Sequence, residues 1–96
     1  GEKAMKNTEE FRKALDNRTL EEAEKFLTEI ASSLNKFPQY DERWLDHRQR
    51  ELFQTFCKTE NWKGAKRIVE ATKDSRSQGG RKARLEELSG MNFDKI

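Results

Sequence analysis

Nine cations stand between Lys58 and Arg84, against three acids, Glu60, Glu70 and Asp74. The cations flank the pair Gly79-Gly80. Six of the nine, Lys66, Arg67, Arg76, Arg81, Lys82 and Arg84, are the candidate anion-binding or nucleic-acid-binding residues, with Arg81 and Arg84 on one helix face expected to act together. If the glycine pair is a turn feeding a helix, the helix start offers free amides and the positive end of a dipole to an anion. Lysines and arginines beside it would add counterion release on a nucleic-acid backbone. The competing reading is that these are ordinary solubilising charges. The chain has no RRM, KH or zinc-finger signature, no GxGxxG and no GxxxxGK[ST].

His47 and Cys57 are the other groups with chemical reach. Each is the sole residue of its type. Ten residues along a helix is about 15 Å, so the two cannot share a metal on one straight helix. A zinc site needs four ligands, mostly Cys and His. A nucleophilic cysteine needs a base and an orienting group, and the sequence supplies neither for Cys57. The expectation is no catalytic residue, no metal and no cofactor, with His47 on the surface and Cys57 packed as a small hydrophobe.

The elements that must carry these groups are helices. Leu20, Ala23, Leu27, Ile30, Leu34 and Phe37 recur at 3-4-3-4-3 spacing, the stripe of an amphipathic helix over about 20–36, ended by Pro38. Thr19 and Glu22 have the spacing of a capping box at its start. A shorter helix precedes it, with Ala4, Thr8, Phe11 and Leu15 on one face, and Asp16-Asn17-Arg18 forms the turn. Asp41 caps a third helix to about Lys58, and Asn61 caps a fourth over about 62–72. "KDSRSQGG", 73–80, has no apolar residue and reads as a flexible loop. A short terminal helix over about 81–89 ends at Gly90. No segment alternates with period two, so the fold class is all-α.

One unit of this helical array is written twice. "FRKALDNRTLEEAEKFLTEI" and "FQTFCKTENWKGAKRIVEAT" align with an offset of 42, pairing Phe11 with Phe53, Leu20 with Trp62, Ala23 with Ala65, Phe26 with Ile68 and Leu27 with Val69. Each copy reads as a helix end, a tight turn and a second helix, and so short a connection makes neighbouring helices antiparallel. The phrase "LEEAEKFLTEI" resembles the second helix of a tetratricopeptide-type hairpin, with an alanine at the close-packed position and a large residue three later. "NWKGAKRIVEA" repeats that frame. The resemblance covers about residues 7–73 and implies hairpin geometry alone, with no binding residues carried over.

The whole is then one helical domain, 1–96: hairpin one over about 4–36, hairpin two over about 41–72, then the loop and the terminal helix. Apolar residues make up 32% of the chain and charged residues 40%, so the core is thin and the surface heavily solvated. Residues 1–48 hold 9 Lys/Arg and 11 Asp/Glu, a net of −2, whereas 49–96 hold 11 and 7, a net of +4. One cysteine cannot make an internal disulfide, which points to a reducing, cytoplasmic setting. No apolar run approaches the roughly 20 residues of a membrane span.

These features suggest a non-enzymatic interaction module that binds a protein partner or a second copy of itself. Phe37, Tyr40 and Trp44 around Pro38 are the candidate partner-binding residues, since aromatics at a polar loop often anchor interfaces. The alternative is an accessory nucleic-acid-binding protein that uses the basic segment 58–84.

Overall fold

A computed structural model describes residues 8–36, 38 and 40–96 of the chain. It is all-helical: α1 (Thr8–Asp16), α2 (Leu20–Ser32), a 3-10 turn (Leu34–Lys36), α3 (Glu42–Lys58), α4 (Trp62–Ala71), α5 (Ser75–Ser89) and a second 3-10 turn (Phe93–Lys95). Residues 4–7, the expected start of the first helix, and the side chain of Thr8 lie outside the described residues, as does Phe37. The chain divides into two compact units, Gly1–Arg48 and Gln49–Ile96. The division falls within α3 and coincides with the change from net negative to net positive sequence.

In the first unit α1 packs on α2. Phe11, Ala14, Leu20, Ala23, Phe26, Leu27, Ile30 and Leu45 are buried. The apolar stripe is the cause, but α2 ends at Ser32 rather than near 36. Leu34 continues in the 3-10 turn and is only half-buried. In the second unit Leu52, Phe53, Phe56, Cys57, Ala65, Ile68, Val69 and Leu85 are buried, and α4 packs on α5.

The two turns are the same structure at an offset of 42. Arg18 and Glu60 are the two non-glycine residues with positive φ among the described residues, at 61° and 57°. Thr19 N donates to Ala14 O at 2.9 Å, and Asn61 N to Phe56 O at 2.8 Å. Arg18 N donates to Leu15 O, and Glu60 N to Cys57 O. This pair of bonds around one left-handed residue is the Schellman arrangement, which satisfies the last carbonyls of a helix. The expected close-packed alanines Ala23 and Ala65 are both 0% exposed.

The helix starts differ. Asn61 Oδ1 accepts from Gly64 N at 3.0 Å, and Asp41 Oδ1 accepts from Trp44 N at 2.7 Å, as their positions predict. The capping box at Thr19 does not form. Thr19 Oγ1 instead donates backward to Ala14 O at 3.2 Å, and its side chain makes no cap bond to α2. The turn is so short that one residue serves two helix ends, and its hydroxyl is taken by α1.

Hairpin two has also exchanged volume between its helices. A Cβ on Gly64 would lie 2.5 Å from Phe56 Cδ1 and Cε1, so the Phe56 ring occupies the space of that side chain. At the corresponding positions 42 residues earlier stand Ala14 and Glu22, small on the first helix and large on the second.

The largest departure from expectation is in 73–80. Residues 75–80 are helical, and Gly79-Gly80 lies inside α5 rather than in a turn. The true start is Asp74, whose Oδ2 accepts from Ser77 N at 2.8 Å. Docking on α4 overrides the local preference of two glycines: Leu85 is fully buried and Arg81 is 8% exposed. Gly90 ends α5 in the left-handed conformation, φ 72°, as its place in the sequence predicts.

Candidate interaction surfaces

The helical course of 75–80 takes apart the expected anion site. The start of α5 is six residues upstream of Arg81 and carries a carboxylate. The N–H of Ser77 holds the Asp74 carboxyl below its ordinary range, with Arg76 and Arg81 adding to the effect. A bound anion there would meet a charge of its own sign.

Arg81 points into the second unit. Its Nη1 donates to Thr72 Oγ1 at 2.9 Å, in a buried bond, and Thr72 Oγ1 donates onward to Ile68 O at 2.7 Å. Arg84, expected to act with it, is on the outside. Its Nη1 lies 3.3 Å from Glu87 Oε1, with side chains 60% and 72% exposed. Adjacent faces of one helix thus give a buried structural cation and a solvated one. Arg76 is exposed on the first turn of α5, and the Arg67 guanidinium lies 6.0 Å from the Phe56 ring centroid.

Lys66 and Lys82 do come together, around an aromatic ring. Lys66 Nζ is 5.0 Å and Lys82 Nζ 5.4 Å from the centroid of Phe93, both within cation–π range. Lys66 also donates to Ile96 O at 3.2 Å, and Phe93 N donates to Glu86 Oε2 at 2.8 Å. The segment "MNFDKI" therefore folds back on α4 and α5, with Phe93 half-buried. Met91, two residues before Phe93, is 37% exposed, and Leu88 is 44% exposed. No spacing rule links Lys66 to Phe93 or Thr72 to Arg81, so these partnerships had no signal in the sequence.

Four described aromatics of the first unit, Phe11, Phe26, Tyr40 and Trp44, form one cluster. Tyr40 and Trp44 stack at 3.9 Å with their planes 24° apart. Both present to Phe26 nearly edge-on, at 6.4 and 6.3 Å, and Phe26 lies 6.2 Å from Phe11. The Asp41 cap fixes the backbone from which Trp44 projects. Tyr40 and Trp44 remain half-buried, and Pro38 is exposed beside them.

His47 is exposed on α3 and Cys57 is buried. Burial pushes the Cys57 thiol up, opposed in part by the Arg84 guanidinium. Among the described residues no group of three or more His, Cys, Asp or Glu is placed to hold a metal ion. No helix formed by the described residues is long and apolar enough to cross a membrane. No protein family, curated protein or solved structure matches this chain.

Proposed function

We propose that this chain is a cytoplasmic, non-enzymatic interaction module, built from two tetratricopeptide-like hairpins, that binds a protein partner or a second copy of itself. One observation carries the reading: the same turn between two helices is built twice, with matching turn hydrogen bonds and a fully buried alanine at the same place. Repeated hairpins are a way of making surface rather than a reaction centre, because each unit contributes faces and edges in series. The stacked Tyr40–Trp44 pair is the candidate contact, since it combines large half-exposed rings with a rigid cap beneath them.

The nucleic-acid alternative rests on the same cations in a less favourable arrangement. Arg81 is buried, Lys66 and Lys82 are engaged by the C-terminal segment, and Asp74 occupies the helix start.

The direct test is affinity capture followed by titration of the purified partner, using wild type and Trp44→Leu. Leucine keeps an apolar contact on Phe26 and removes the indole. The reading expects saturable binding, or self-association in sedimentation velocity, weakened by the variant with its helical circular dichroism intact. The opposite result is binding to mixed-sequence DNA or RNA at about 50 mM salt, with log affinity falling linearly in log salt and unaffected by Trp44→Leu. That outcome would replace the interaction module with the alternative.

A further inference from the structure

α5 is anchored at two places with little between them. Asp74 caps its start, and Arg81 and Leu85 are its buried residues. From Ser75 to Gly80 no side chain is buried: Ser77 and Gln78 are half-buried and the other four residues are exposed. Gln78 Nε2 donates to Val69 O at 3.0 Å.

The two glycines are not required by the backbone or by packing. Neither has positive φ, and a Cβ on either would meet nothing within 4 Å. Glycine in a helix interior exposes backbone and loses more chain entropy than alanine. Each lowers the local helix equilibrium by about fivefold relative to alanine.

The same stretch is bracketed by a bond that does not depend on its helicity. Thr72 precedes it and Arg81 follows it, and the two side chains are hydrogen bonded in a buried site. With Leu85 docked, this bond closes 73–80 into an eight-residue loop if the first turns of α5 unwind. The rest of the α4–α5 packing stays in place.

We propose that residues 73–80 are a helix-to-loop switch. In the long state α5 begins at the Asp74 cap. In the short state it begins at Arg81, and 73–80 is a polar loop carrying Lys73 and Arg76, pinned at its base by the Arg81–Thr72 bond. Glycine at 79 and 80 keeps the two states close in free energy, and the Asp74 carboxylate favours the long one.

Residue-resolved amide exchange on the full chain tests this. Amides of 78–82 bond to carbonyls 74–78 in an α-helix, whereas those of 86–89 bond to 82–85. The switch predicts protection factors for 78–82 at least about tenfold below those of 86–89, with little dependence on low denaturant because the opening is local. Gly79→Ala with Gly80→Ala should raise protection of 78–82 by about 20-fold. One common protection factor across 78–89 would show that α5 opens as a single unit and would overturn the proposal. So would exchange at 78–82 that the double alanine variant leaves unchanged.

Discussion

Gly64→Ala should destabilise this protein, although alanine is the better helix former. Gly64 lies in the first turn of α4 and is buried. The added methyl would sit 2.5 Å from two carbons of the Phe56 ring and 2.9 Å from a third. Carbon atoms in contact are about 3.5–4 Å apart, so the ring or the helix must move by about 1 Å. Phe56 is 0% exposed and has no open side to move into. Overpacking of a dense interior costs about 1–3 kcal/mol, and full enclosure of the ring argues for the upper end. Relief of glycine's helix handicap returns about 1 kcal/mol, leaving a net loss of about 2 kcal/mol. For a urea m-value of about 1 kcal/mol/M the midpoint should fall by about 2 M at unchanged m. The decisive comparison is the same substitution in a Phe56→Ala background. Without the ring the clash is gone, and Gly64→Ala should become stabilising by up to about 1 kcal/mol. A midpoint that does not fall in the wild-type background, or an equal loss in both, would refute the exchange of volume between Phe56 and Gly64.

Ala23→Leu and Ala65→Leu should each overpack a helix contact and lower stability by about 1–3 kcal/mol in urea unfolding. Loss at one site only would break the equivalence of the hairpins. Arg81→Ala removes a buried charged hydrogen bond and should cost about 2 kcal/mol, whereas Arg84→Ala should stay within about 0.5 kcal/mol because its ion pair is solvated; thermal melts of the two separate them. Asp74 has a folded-state carboxyl below its unfolded value, so its contribution is full above the unfolded value and is lost as pH falls through the folded one. In acid titration by NMR the Ser77 amide should shift below the ordinary carboxylate range in wild type and not in Asp74→Asn. Cys57, buried and with its thiol raised, should react slowly with a disulfide reagent at neutral pH and accelerate with denaturant; rapid labelling of the native chain would contradict its burial.

What the sequence determined by itself was the local and the periodic. The stripe from Leu20 to Ile30, the cap residues Asp41 and Asn61, the terminal Gly90 and the 42-residue repeat were legible there. The stripe, the caps and each copy of the repeat depend on residues within a few turns of one another, so sequence spacing is already spatial proximity. The aromatic group around Pro38 was legible as a cluster, but its edge-on packing against Phe26 was not.

Tertiary structure decided the fate of the basic segment. By propensity, "SRSQGG" is a loop, and it becomes helix because Arg81 and Leu85 dock on α4 and Asp74 caps the start. Docking turned Arg81 from a surface cation into a buried partner of Thr72, nine residues away, and left Arg84 in water. It also brought Phe93 between Lys66 and Lys82, 27 and 11 residues distant in the chain. Charge is a property of the sequence, but whether a cation meets a partner, a ring or water depends on which face the neighbouring helix covers. That covering is a long-range packing choice, and neither the spacing nor the type of these residues encodes it locally.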